Sequence, residues 1–277
     1  MALDIDRFVE LSGAVKIDDL DWEGAREAGV TDEEARILRY MADTETHTII
    51  YMRDLLAGHS TKDPEITAFL SVWVYEELWH GRAIDKVLVA SGREVNRNRS
   101  SELISTLTWH ERIEAALSSL LANLTPHFIA THMAWGALNE FTAAASYQAL
   151  ARRTKNPAVR ELCRRMAQQE RKHFAFYYDQ AQRRLEHSKL ARWIARTALN
   201  KLWTPVGSGV ANADDLPLTS HYLFSDEQGW ADLERAEEKM NQLPGLEGFS
   251  QVTRQIGALI KSHSPGWEQQ TLLPAST

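Results

Sequence analysis

The stretch Glu76-Glu77-Leu78-Trp79-His80-Gly81 decides the fold, together with its echo Gln169-Glu170-Arg171-Lys172-His173. Each contains Glu-x-x-His. A spacing of three puts carboxylate and imidazole one turn apart on the same helix face. One copy is weak evidence, because such pairs arise by chance. Two copies on separate helices are stronger. A dinuclear metal site in a helical bundle needs this motif from two helices and one glutamate from each of two others.

Working outward, both motifs lie in long helical patterns. Thr31 and Glu34 form a capping box that opens a helix running to Ala57, where Gly58 ends it. Asp63, with Pro64 at the first helical position, opens the next, which runs to Ser91. Further helices are predicted over 101–123, from Thr125-Pro126 to Thr154, from Asn156-Pro157 to His187, and over 189–202. Pro205 to Leu218 carries Gly207, Gly209 and Pro217 and reads as a loop. Two shorter helices are predicted over 226–241 and 248–261. Neither β alternation nor a solenoid repeat is visible.

The prediction is an all-α fold. Helices 31–57, 63–91, 126–154 and 157–187 form a four-helix bundle, and 101–123 serves as its crossover. Residues 1–203 make the bundle with an N-terminal segment and a flanking basic helix. Residues 204–277 add a loop and short helices that pack on it.

The two core helices without the motif each offer one glutamate. Glu45 lies on a stripe with Leu38, Met41 and Ile49, and Glu140 on a stripe with Met133, Gly136 and Tyr147. The candidate metal ligands are therefore Glu45, Glu77, His80, Glu140, Glu170 and His173, with Asp43 as a competitor to Glu45. Four buried carboxylates repel one another unless cations neutralise them. Two divalent ions balance four negative charges. Carboxylate with imidazole suits iron, with manganese possible in one position, and the lack of thiolate disfavours zinc. Glu76 is expected to be solvated or an outer neighbour of Glu77. His47 reads as a surface residue, and His127 and His132 as core or outer residues. Tyr51, Tyr75, Tyr147 and Tyr177 are candidates to lie near the metals, chiefly as packing, with a radical role for one of them as the alternative. Gly136, Ala137, Ala143, Ala144 and Ala145 thin the helix around Glu140, either for close packing or to open a slot for a slim apolar chain.

Composition excludes several classes. A chain of 277 residues, 44% hydrophobic with 25% charged residues, can bury a sizeable core. The net charge of -7 argues against a general nucleic-acid binder. The single Cys163 excludes an internal disulfide and a cysteine-based metal knuckle, and fits a reducing compartment. The N-terminus has no apolar signal-peptide core, and no run is long enough to span a membrane. A cytoplasmic location is expected.

At EELWHG and QERKH the chain resembles the soluble acyl-carrier-protein desaturases of the ferritin-like di-iron superfamily, whose motifs are similar: EENRHG and DEKRH. The order Glu, Glu-x-x-His, Glu, Glu-x-x-His agrees, and the likeness covers residues 30–190. The resemblance implies a ferritin-like bundle with two irons. Glu45 and Glu140 would be terminal ligands, Glu77 and Glu170 bridges, and His80 and His173 would bind one iron each. It further implies an O2-dependent oxidoreductase that desaturates a carrier-bound acyl chain, an acyl carrier protein and a ferredoxin-type donor as partners, and a homodimer. Two positions depart from the family. Ala143 stands where it has a threonine near the oxygen site, so the neighbouring Thr142 is the candidate catalytic residue. Gln169 stands where it has an acid.

Other expectations remain open beside this one. A hydroxylase or N-oxygenase of a small metabolite uses the same irons, although Met166 stands where such N-oxygenases can place a further histidine. A rubrerythrin-like peroxidase usually brings a cysteine-rich iron domain, which one cysteine forbids. An iron store and a metal-free scaffold complete the set. The run from Arg152 to Lys201 is strongly basic, and Arg183, Arg184, Arg192 and Arg196 are expected to receive an acidic partner.

Overall fold

The computed structural model describes residues 4–56, 59–95, 127–208 and 214–267; the crossover helix predicted over 101–123 lies outside the described residues. Among the described residues there are ten α-helices and no strand. In chain order they are α1 (Ile5–Glu10), α2 (Trp22–Ala28), α3 (Asp32–Leu56), α4 (Pro64–Ala90), α5 (Phe128–Arg153), α6 (Pro157–His187), α7 (Lys189–Lys201), α8 (Asp215–Phe224), α9 (Glu227–Asn241) and α10 (Gln251–His263). None is long and apolar enough to cross a membrane.

The capping residues read from the sequence act as caps. Thr31 and Glu34 exchange side-chain-to-backbone bonds of 3.0 and 3.1 Å at the start of α3. Asp63 accepts from the Glu65 and Ile66 amides at the start of α4. Asn156 accepts from Ala158 and Val159 at the start of α6. Each satisfies backbone donors that the first helical turn leaves unpaired.

Helices α3, α4, α5 and α6 form the ferritin-like bundle. The contacts show antiparallel neighbours. Asp32 meets Arg93 at one end of α3–α4, and Ala42 approaches Gly81 midway. Between α4 and α6, Glu65 pairs with Arg183, Phe69 stacks on Phe176 at 4.0 Å, and Glu76 meets His173. The buried aromatic layer of Phe69, Phe176, Tyr177 and Trp73 lies about one turn from the motif residues. Burying each such ring contributes roughly 1.5–3 kcal/mol.

Two flanking segments close the bundle on opposite sides. The N-terminal segment straps the α4–α6 groove: Phe8 packs on Phe69 and Phe176, Gly13 bonds Glu76, and Asp19 pairs with Arg165. Its short helices α1 and α2, capped by Asp4 and Asp21, are additions to the sequence prediction. The C-terminal helices cover α3 and α5 through Arg36–Asp215, Arg152–Asp232 and Arg153–Asp226. Helix α8 begins inside the stretch read as a loop. Pro217 falls in its first turn, where a proline's missing N–H has no intrahelical partner to lose.

The arginines expected to receive an acidic partner are engaged within the fold. Arg183 pairs with Glu65 and Asp179 at 2.9 Å, and Arg184 with Asp63. Arg192 donates to the Leu185 and Glu186 carbonyls, satisfying the last turn of α6. Arg196 reaches Gly245 and Glu247. These four arginines thus have partners within the fold, while Arg183 and Arg196 stay partly exposed.

Candidate metal centre

All six predicted ligands converge in the bundle interior, and each is buried. Two groups of donor atoms form. One holds Glu45, Glu77, His80 and Glu170; the other holds Glu77, Glu140, Glu170 and His173. Within each group the donor atoms lie within 4.8 Å of one another. Glu77 and Glu170 belong to both. Glu77 turns Oε1 to His173 Nδ1 at 3.1 Å and Oε2 to His80 Nδ1 at 3.9 Å. Glu170 turns Oε1 to His80 at 3.2 Å and Oε2 to His173 at 3.1 Å. Each of these carboxylates thus offers one oxygen to each side, the arrangement of a bridge. Glu45 approaches His80 at 3.7 Å, and Glu140 approaches His173 at 3.5 Å.

The residues fit a pair of divalent ions. Two ligands on one ion, with bonds of about 2.0–2.2 Å, lie about 3–4 Å apart, as these donors do. Three buried donors that face the cluster, Glu77 Oε1, His80 Nδ1 and Glu170 Oε1, lack a hydrogen-bond partner. Polar atoms so buried are normally satisfied, and a cation is what such a set accepts.

The charges report the same crowding. Burial, then Glu170, raises the Glu77 and Glu140 carboxyls well above the usual range. Burial would also raise Glu170, but His80 and His173 outweigh it and hold that carboxyl low. Burial alone would lower His80 and His173, yet the carboxylates around them raise both imidazoles. Protons balance the carboxylates when no metal does, so metal uptake must release them.

A chain of hydrogen bonds behind the histidines fixes their orientation. His173 Nε2 lies 2.7 Å from Glu76 Oε2, and His80 Nε2 lies 2.9 Å from Gln169 Oε1. The Gln169 amide nitrogen donates to Glu76 Oε1 at 2.9 Å and to the Gly13 carbonyl at 2.7 Å. The Gly13 amide donates to Glu76 Oε1 at 2.8 Å. With two acceptors facing its nitrogen, Gln169 must turn its oxygen to His80. An acceptor behind each Nε2 keeps the proton there and leaves the Nδ1 lone pair facing inward. Glu76 is therefore buried rather than solvated, and from its outer position it orients His173 across the helix pair. The residue before each motif glutamate supports the histidine of the other motif. Nothing in one helix alone signals this.

The terminal glutamates have donors too. Trp73 Nε1 donates to Glu140 at 3.0 Å, and the Tyr147 hydroxyl donates to Glu45. Burial, then Glu45, pushes the Tyr147 phenol up, so it stays protonated. Tyr177 packs edge-on against Trp73, Tyr75 is exposed, and the Tyr51 side chain lies outside the described residues. His132 is core, against the Tyr177 ring, and His127 meets Ser188.

On the α3–α5 side the glutamates open onto a cavity of about 230 Å³, lined also by Trp73, Trp135, Ala143 and residues 204–208. His47, half-buried, lines this chamber. A smaller, largely apolar cavity of about 70 Å³ shares Thr44, Glu45, Ala143, Pro205 and Val206 with it and reaches Phe224 and Ile256. Thr142 lines the smaller cavity, with its hydroxyl donated to the Asn139 carbonyl at 2.9 Å. Gly136 packs directly against the Tyr177 ring, whereas Ala143 lines both cavities.

Comparison with known proteins bears on the second half of this site. The rubrerythrin family model matches residues 136–197, a segment that includes Glu140, Glu170 and His173. Comparison with curated proteins and with solved structures gives no match. The likeness to the acyl-carrier-protein desaturases thus has no support from these comparisons. Fold, buried Glu and His cluster and family match together support a ferritin-like protein of the di-iron carboxylate kind.

Proposed function

We propose that the chain is an O2-dependent di-iron oxidoreductase acting on a C–H bond of a largely apolar substrate. Glu45, Glu77, His80, Glu140, Glu170 and His173 are the ligands. The observation that carries the reading is that the carboxylate cluster opens onto a chamber with an apolar extension. A metal store or a scaffold has no need of such a space beside its ligands.

When bound, the irons supply the redox chemistry in which O2, two external electrons, two protons and two substrate hydrogens end as two waters. The protein's part is positioning. Glu77 and Glu170 hold the two positions together, and the chain through Gln169 and Glu76 locks the histidine rings. Among the described residues the N-terminal strap covers the α4–α6 side, and the chamber opens on the α3–α5 side. Ala143, at the junction of the two cavities, lets an apolar arm pass, and Thr142 borders that arm. Acyl-chain desaturation is the finer form of this proposal, with an acyl carrier and a ferredoxin-type donor as partners. The rubrerythrin match favours a second reading, peroxide reduction, in which the chamber admits only a small oxidant and a separate protein supplies the electrons, since the single Cys163 cannot build a cysteine-rich iron domain.

The test is anaerobic loading with ferrous ion, then O2 with a panel of acyl thioesters and free acids, read by mass spectrometry. Two irons per chain and a product short of two hydrogens support desaturation. A product with one added oxygen supports hydroxylation. Peroxide consumption with no altered organic product favours the second reading. Protein that takes up no metal after reconstitution overturns both.

A further inference from the structure

The two metal positions have matching ligands but unlike surroundings. Each has one histidine and one terminal glutamate, and they share Glu77 and Glu170. Behind His173 stands the carboxylate of Glu76; behind His80 stands the neutral amide oxygen of Gln169. Glu76 is 1% exposed and points no oxygen at the ligand cluster, so its charge acts through His173. A carboxylate draws the Nε2 proton more strongly than an amide does, which makes the opposite nitrogen a better electron donor. The terminal glutamates differ in the same sense. Glu140 receives an indole N–H from Trp73, and Glu45 a phenol O–H from Tyr147. The phenol is the more acidic donor and withdraws more charge from its carboxylate. Both contrasts enrich the His173 side and deplete the His80 side.

Resting on the dinuclear reading above, we propose that the position built on His173 and Glu140 is the high-affinity one and fills first, while the position built on His80 and Glu45 fills second. Glu76 and Gln169 act as positioning residues that set this order. The protein then assembles through a state holding one ion, on the His173 side. The His80 side, nearest Tyr147 and the smaller cavity, is the one that exchanges its metal.

Bridging carboxylates couple two ions, so two steps in a titration do not by themselves prove unequal sites. The experiment therefore isolates each position. His80→Ala keeps the His173 position, and His173→Ala keeps the other. Each is titrated anaerobically with ferrous ion by calorimetry, after circular dichroism confirms the fold. The ion in His80→Ala should bind at least about tenfold tighter than that in His173→Ala. Adding Glu76→Gln to His80→Ala should weaken that ion by about 10–100-fold. Equal affinities or the reverse order overturn the proposal. Wild-type protein given one equivalent of 57Fe(II) provides an independent reading. A single Mössbauer environment is expected; two environments of equal weight overturn the proposal even if the variants fail to fold. Wild-type protein that binds no iron at all overturns the dinuclear reading instead.

Discussion

His132 is buried against the Tyr177 ring, and burial alone lowers its imidazole to about 4. The folded state therefore prefers it neutral, while the unfolded chain protonates it near the ordinary value of 6.5. Between those values the unfolded chain binds more protons, so stability is full above pH 6.5 and falls as the pH drops towards 4. The contribution lost by pH 5 is about 2 kcal/mol. Urea unfolding of His132→Gln and wild type at pH 7 and pH 5 should show a smaller loss in the variant. Equal losses would remove His132 as the cause. Cys163 makes a second case at this scale. Burial pushes its thiol well up, away from the reactive thiolate. Iodoacetamide should label it in denaturant and leave it unlabelled in the native protein, as mass spectrometry would show.

Asn156 shows how one cap serves several elements. Its side-chain oxygen accepts from the first turn of α6. Its amide nitrogen lies 3.1 Å from the Ala25 carbonyl, 2.8 Å from that of Gly29 and 3.1 Å from the Ser91 hydroxyl. It joins the start of α6 to the ends of α2 and α4. Asn156→Ala loses a cap worth about 1 kcal/mol and leaves buried acceptors unpaired at about 1–3 kcal/mol. A total near 3 kcal/mol is expected in chemical denaturation. Asn156→Asp keeps the cap and loses the donors, so it should fall between. If Asn156→Asp matched wild type, the ties to α2 and α4 would carry no energy.

The whole molecule is a bundle sealed differently on its two sides. The N-terminal strap bonds into the histidine supports, whereas the C-terminal part leaves space beside the glutamates. The wall of that space at 204–208 is held by Tyr40, whose hydroxyl donates to the Val206 carbonyl at 2.7 Å. Gly207 has φ +84 and lies so close to Tyr40 that a Cβ there would collide with the hydroxyl. Gly207→Ala should strain the turn and push the wall outward. Loaded protein should then surrender iron to an external chelator several-fold faster, with the iron content at full loading unchanged. An unchanged release rate would mean that metal leaves by another route.

What the sequence determined by itself was local in its physics. The Glu-x-x-His spacing, the inward glutamates of α3 and α5, and the caps at Thr31, Asp63 and Asn156 all act within a turn or two of helix, where periodicity makes them legible. Four buried carboxylates also demand cations wherever they meet, so charge balance pointed to a dinuclear site before any coordinates did. The start of α8 was missed because a proline in a first turn looks the same in sequence as a proline in a loop. The cross-helix supports were decided only by tertiary structure. Glu76 serves His173, and Gln169 serves His80, because α4 and α6 run antiparallel and place distant residues at one height. The pairing of the α6 and α7 arginines with Asp63, Glu65 and the last carbonyls of α6 likewise depends on the fold. A space beside Glu140 was suggested by the small residues of α5, but the far side of the chamber was not. Its wall at 204–208 lies far along the chain from the ligands it covers, and helical periodicity carries no information about such contacts.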